Sequence, residues 1–125
     1  MALMNRHPLL FTQLCIVALV ATLHVAGSVY SLYWRFPWFD IPAHFLGGAW
    51  AGTFVVWVWM RGREMPSLAV CITGVLAIGI AWEFLEMSIG MMEFPADALD
   101  SMKDLAMDAL GGLAAWFLAR RITRT

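Results

Sequence analysis

The chain has 125 residues, a length typical of one domain, and we treat residues 1–125 as a single unit. With 62% hydrophobic residues, 14% charged residues and a mean hydropathy of +0.74, its composition excludes an ordinary soluble domain. The formal net charge is -1, and no basic patch interleaved with aromatic residues indicates a nucleic-acid partner. Composition therefore predicts a polytopic membrane protein whose surroundings are membrane lipid.

Four apolar segments, each long enough to cross a bilayer, follow one another along the chain. Short polar or aromatic connections separate the predicted spans, which cover residues 9–30, 42–60, 67–91 and 100–120. The first span ends in an aromatic segment at 30–39, which is typical of the belt at the level of the lipid headgroups. The predicted fold class is all-α, an antiparallel bundle of four transmembrane helices.

Basic residues are concentrated at one set of span ends. Six of the eight lie at the amino terminus, in the connection after the second span or in the carboxyl tail: Arg6, Arg61, Arg63, Arg120, Arg121 and Arg124. Lys and Arg are enriched in the cytoplasmic loops of membrane proteins. Both termini are therefore predicted to be cytoplasmic.

Aspartates recur at helical spacing at the start of the fourth span. Asp100, Asp104 and Asp108 share one helix face, because steps of four residues return to nearly the same side. A carboxylate within a membrane helix costs about 3 kcal/mol unless it is paired, protonated, hydrated or bound to metal. We therefore interpret Asp104 and Asp108 as site residues. Asp100 is left open between the site and a role at the helix start, where the dipole favours acids.

The other spans place polar residues at the same depth. Counting 1.5 Å of rise per residue from the cytoplasmic ends places His24, His44, Glu83 and Asp104 at roughly 24 to 27 Å. A hydrogen-bonded structural role remains open for His24, and Asp40 is equally well explained as a helix cap. The predicted outward-facing site is made of Asp40, His44, Glu83, Glu86, Asp104 and Asp108.

Such a cluster would be strongly anionic if it were fully ionised. Its carboxylates must then share protons or bind a cation, because like charges at close range oppose one another's ionisation. Oxygen ligands with an imidazole suit Mg²⁺, Mn²⁺ or Ca²⁺, and also Zn²⁺ or Fe²⁺ if the histidine coordinates. A divalent metal is the preferred interpretation, with all six residues of the predicted site as candidate ligands.

Three polar motifs follow one another in spans two to four. They read D-x-x-x-H-F-x-x-G at 40–48, W-E-x-x-E at 82–86 and D-x-x-x-D-L-x-x-D-x-x-G at 100–111. In this order they resemble the YjdF-like small bacterial inner-membrane proteins, which are similar in turn to VanZ-like proteins. The resemblance implies a bacterial inner-membrane location and, in some VanZ-type relatives, a link to glycopeptide tolerance. It implies no mechanism.

Three functions remain open on these residues. The first is a metal-dependent hydrolase or transferase that acts on a lipid-linked or envelope substrate, with Glu83 or His44 as the catalytic base. The second is a cation or proton transport or sensing element. Because the fourth span is apolar beyond Asp108, transport would need a homo-oligomer or a moving pathway. The third is a structural or accessory membrane protein.

Overall fold

The computed structural model describes residues 7–61 and 64–123, which form helices joined by turns and short loops. Five helices follow one another: α1 (His7–Val29), α2 (Leu32–Arg35), α3 (Asp40–Trp59), α4 (Leu68–Ser88) and α5 (Ala98–Ile122). The all-helical prediction is confirmed for this part of the chain. The single turn α2, within the aromatic segment after α1, is a feature that the sequence did not predict.

Helices α1, α3 and α4 are each long and apolar enough to cross a membrane. Large apolar side chains lie on the outer surface of α1, where Phe11 is 68% and Val29 69% exposed. Exposure on this scale is expected where lipid covers the protein. Helix α5 is as long as the others but carries several charged residues, and its role as the predicted fourth span stays a prediction.

The largest interface lies between α3 and α5, which run in the same direction. A side chain at Gly48 would collide with the backbone of Asp108, and one at Gly111 would collide with the carbonyl of Phe45. A Cβ atom at Gly52 would lie only 2.9 Å from the Cβ of Ala115. Small residues let two membrane helices approach until their backbones touch, which maximises van der Waals contact. The backbones of α3 and α5 therefore meet along the face of α3 that carries Gly48 and Gly52.

Helix α4 runs in the opposite direction and packs against both α3 and α5. Ser67 caps its start by accepting a hydrogen bond from the backbone N–H of Val70. Near this end, the indole Nε1 of Trp116 in α5 donates to the carbonyl of Pro66 at 2.9 Å. Towards the other end, Gly79 lies against α5. The start of α4 thus lies beside the end of α5, and its end beside the start of α5.

The apolar core lies at the end of the molecule where α1 and α4 begin. It combines buried side chains from α1, the end of α3, α4 and the end of α5: Leu9, Ala51, Val56, Met60, Cys71, Val75 and Ala119. At the opposite end α1 is held by aromatic contacts, because Gly27 packs against the ring of Phe39. The polar residues of α3, α4 and α5 are consequently gathered at the end away from this core.

Gly48→Ala should destabilise the protein, because the new methyl group would overlap the backbone of Asp108, which cannot rotate away. Forced overpacking of this kind costs about 1 to 3 kcal/mol. Thermal denaturation in detergent should show a lower midpoint for this variant. Gly47→Ala is the matched control, because its nearest foreign atom would be the Asp108 Oδ1 at 3.9 Å. Equal midpoints for the two variants would contradict the close approach of α3 and α5.

Candidate metal centre

The close approach of α3 and α5 brings His44 to the aspartates of α5. His44 lies one turn before Gly48, on the same side of α3. Its Nε2 atom is 3.4 Å from the Oδ2 of Asp40 and 3.6 Å from the Oδ2 of Asp104. Asp40 is one turn earlier on α3 and remains partly exposed, whereas Asp104 is only 5% exposed. One imidazole nitrogen therefore faces two carboxylates from two different helices.

The other imidazole nitrogen faces a third carboxylate. The Nδ1 of His44 lies 3.5 Å from the Oδ1 of Asp108, which is buried. Helix α4 provides the space for this carboxylate, because a Cβ atom at Gly79 would lie 2.6 Å from the Asp108 Oδ2. Gly79 of α4 therefore leaves the space that the carboxylate of Asp108 occupies.

The atoms around Nε2 have the spacing of ligands to one metal ion. One potential ligand atom from each of Asp40, His44 and Asp104 lies within 4.8 Å of the others. Neighbouring ligand atoms on one divalent ion are roughly 3 to 3.5 Å apart, close to the distances measured from Nε2. In addition, the buried Oδ1 of Asp104 has no hydrogen-bond partner among the described residues. This group could hold a divalent metal.

The negative charge of the three carboxylates also favours a bound cation. Three ionised carboxylates around one imidazole leave a negative excess even when the imidazole is protonated. Lys103, the basic residue of this turn of α5, is exposed and pairs with Asp100. A buried negative excess is costly unless protons or a cation neutralise it. A divalent cation at this position would neutralise two of the three carboxylates.

Glu83 and Glu86 lie on α4 beside this group. Glu83 is 8% exposed, and both of its carboxylate oxygens lack a hydrogen-bond partner among the described residues. Glu86 is half-buried, hydrogen-bonds to Trp82 and interacts electrostatically with Glu83 and His44. Neither glutamate belongs to the three-residue group with ligand spacing. Their roles as metal ligands, and that of Glu83 or His44 as catalytic base, stay predictions.

The sequence left open whether Asp100 and His24 belong to the site, and both contact other residues instead. Asp100 is exposed and pairs with Lys103 one turn along α5. His24 is exposed on α1, and its Nδ1 lies 3.3 Å from the hydroxyl oxygen of Tyr33. Burial of the Tyr33 hydroxyl and the nearby charge of Asp40 raise the pKa of Tyr33. Of the three aspartates on α5, Asp104 and Asp108 are the two that face His44.

Sequence reasoning missed the residue that holds the site together from α5. Gly111 contacts the backbone of α3, where a Cβ atom would lie 2.7 Å from the backbone nitrogen of Ala49. The signal was present in the glycine pair Gly111 and Gly112, which directly follows the aspartates. Its pairing with Gly48 and Gly52 could not be read from spacing alone, because it depends on which helix packs against which.

Fold and site together define an all-helical membrane protein with a buried group of carboxylates around one imidazole. Residues 1–125 match the sequence model of the family described as "Predicted membrane protein (DUF2238)", and the chain belongs to this family. The family is consistent with the YjdF-like resemblance, while the relation to VanZ-like proteins stays a prediction. No curated protein and no solved structure matches the chain.

His44→Ala should destabilise the metal-free protein, because it leaves the carboxylates of Asp40, Asp104 and Asp108 facing one another without their shared partner. Removing one member of a buried charged group costs about 3 kcal/mol. Thermal denaturation in detergent with EDTA should show the loss. His24→Ala is the control, because this exposed ring makes one hydrogen bond to Tyr33. A smaller loss for His44→Ala than for His24→Ala would contradict the described geometry.

Proposed function

We propose that this protein binds one divalent metal ion through Asp40, His44 and Asp104. The observation that carries the proposal is the grouping of two carboxylates and one imidazole within 4.8 Å, drawn from two helices. Histidines that bind metal usually donate the other ring N–H to a carboxylate, which fixes the ring and its tautomer. Asp108 is placed to accept that hydrogen bond from Nδ1. It therefore orients His44 rather than binding the ion.

The membrane arrangement belongs to the same proposal. Helix α5 is the fourth crossing of an antiparallel four-helix bundle in the bacterial inner membrane, with both termini cytoplasmic. Its parallel packing against α3 supports this arrangement. So do Arg61 over the Trp57 ring at 4.5 Å and Arg120 over the Trp116 ring at 4.6 Å, since Trp and Arg are typical of membrane interfaces. The metal group then faces the outer side.

We further propose that the bound ion serves a hydrolase or transferase reaction on a lipid-linked or envelope substrate. A divalent ion polarises a carbonyl or phosphoryl oxygen and makes bound water more acidic. With His44 engaged by the ion, Glu83 is the better candidate for a base, because its carboxylate is buried and unpaired among the described residues. Such a group is costly to maintain and points to a use in chemistry or binding.

A cation transport or sensing element is the second candidate. Partial exposure of the Asp40 side chain, at 37%, favours it, because an ion could enter there from one side. Onward passage is opposed by the packing beyond Asp108, where Gly111, Gly112 and Ala115 are buried against α3 and α4. Transport would therefore require helix movement or a pathway formed by a homo-oligomer, and the enzyme is the preferred candidate.

Metal binding should be lost in Asp104→Asn and His44→Ala. Each substitution removes a ligand, so the affinity should fall by more than the roughly 100-fold that marks the loss of a residue that only orients a ligand. Equilibrium dialysis of the detergent-purified protein against Mg²⁺, Mn²⁺, Ca²⁺ and Zn²⁺ separately, followed by elemental analysis, measures the stoichiometry. The matched control is Asp100→Asn, the same change one turn away on α5, and it should bind as the wild type does.

The same measurement tests the role given to Asp108. Asp108→Asn should retain stoichiometric binding with an affinity roughly 10- to 100-fold weaker, as for other residues that orient a metal-binding histidine. If the wild type binds none of the four ions, the metal site is wrong. If Asp100→Asn loses the ion as completely as Asp104→Asn, the assignment of ligands is wrong.

Reporter fusions test the membrane arrangement. A green fluorescent protein fused after Thr125 should fluoresce, because it folds in the cytoplasm, whereas alkaline phosphatase fused there should be inactive. Alkaline phosphatase inserted after Ala96, in the connection before α5, should be active on the outer side. An active phosphatase after Thr125 would contradict α5 as a fourth crossing in the proposed orientation.

A further inference from the structure

The ends of α3 and α5 carry the same pair of side chains, an arginine stacked over a tryptophan. Arg61 follows Trp57 by four residues, and Arg120 follows Trp116 by four residues. The guanidinium carbon lies 4.5 Å from the centre of the Trp57 ring in the first pair and 4.6 Å from that of Trp116 in the second. A cation at this distance is attracted to the electron-rich face of an indole ring. Each ring therefore holds one guanidinium group in place.

Helix packing places the two guanidinium groups at nearly the same height. The backbones of α3 and α5 touch where Gly48 meets Asp108, and the two helices run in the same direction. Arg61 and Arg120 follow this contact by nearly the same number of residues, and the difference of one residue corresponds to about 1.5 Å of helical rise. Helix α3 is a candidate membrane span that ends at Trp59. Both arginines consequently lie at the level where this span ends.

The tryptophans beneath these arginines are held by the apolar core. Trp57 and Trp116 both pack against it. The indole N–H of Trp116 also donates to the carbonyl of Pro66, which ties the connection after α3 to α5. A side chain that is already held in place loses less conformational entropy when it binds a ligand. Arg61 and Arg120 are thus preorganised for binding.

This end of the molecule has a large excess of positive charge. Residues 1–8, 60–67 and 120–125 contain six arginines and one acidic residue, Glu64. Among the residues that the structure describes, neither Arg61 nor Arg120 forms an ion pair with a carboxylate. Arg61 is exposed and Arg120 is partly exposed, so an anion can reach both. The anions that balance these charges must come from the surroundings.

The shape of the guanidinium group and its position favour a lipid phosphate as that anion. A guanidinium group whose face lies on a ring keeps the N–H donors along its edge, and this planar fork matches two oxygens of a phosphate. Lipid phosphates lie just beyond the hydrocarbon region, at the level where a membrane span ends. Anionic lipids attract arginines beside a span, whereas zwitterionic lipids carry no net charge. Charge and position therefore favour an anionic lipid over a soluble anion.

We propose that Arg61 and Arg120 bind the phosphate groups of anionic membrane lipids at this end of the molecule. The inference goes beyond the proposed metal site and does not depend on it, because the acidic group lies at the opposite end. Bound anionic lipid would hold the ends of α3 and α5 at the membrane surface. These are the two helices that carry His44 and Asp104.

Native mass spectrometry of the detergent-purified protein tests the inference with phosphatidylglycerol and phosphatidylcholine of identical acyl chains. The wild type should bind phosphatidylglycerol at least roughly tenfold more tightly, because two arginines attract the anionic lipid. The double variant Arg61→Gln with Arg120→Gln should lose most of this preference. The matched control is Arg35→Gln with Lys103→Gln, which removes two exposed cations from the other end and should keep the preference.

The inference is wrong if the double variant prefers phosphatidylglycerol as strongly as the wild type does, or if the control loses the preference to the same extent. Thermal denaturation separates a lipid from a soluble anion, because a ligand that binds the folded state raises the midpoint. Phosphatidylglycerol should raise the midpoint of the wild type more than that of the double variant. Inorganic phosphate that does so in place of phosphatidylglycerol would assign the arginines to a soluble ligand and overturn the lipid site.

Discussion

The contact between the backbones of α3 and α5 is the constraint on which the rest of the structure depends. Within a membrane, the hydrophobic effect does not drive one apolar helix against another, so association relies on van der Waals packing and hydrogen bonds. Gly48 and Gly111 allow that packing because neither has a Cβ atom to separate the helices. The same contact carries the imidazole of His44 to within 3.6 Å of the Asp104 carboxylate. The close contact of α3 with α5 therefore determines both the packing of these helices and the geometry around His44.

Helix α4 forms the third side of the acidic group that α3 and α5 bring together. Gly79 leaves the space that the Asp108 carboxylate occupies, and Glu83, one turn further, lies buried beside the same group. Stability does not explain these charges, because replacing a buried ionic group by apolar residues of similar volume is often neutral or stabilising. Binding explains them better, since the metal ion that we propose would neutralise the carboxylates around His44.

The two ends of the molecule differ in chemistry. One end holds the apolar core around Val56 and Cys71, with Arg61 and Arg120 stacked over tryptophan rings. The other end holds the acidic group. Acidic groups gathered at one end of an apolar helical protein are the arrangement expected of the metal site that we propose. The packed glycines and alanines between the two ends oppose passage of an ion through the chain.

The sequence by itself determined the all-helical membrane class and the candidate residues His44, Asp104 and Asp108. Apolar run length, helical period and rise are local properties, so they predict which residues share a face and a depth. Only the tertiary structure decided that Asp108 faces Nδ1 and that Asp100 turns to Lys103. Lateral distances between helices depend on which glycines meet, and counting along one helix cannot provide them.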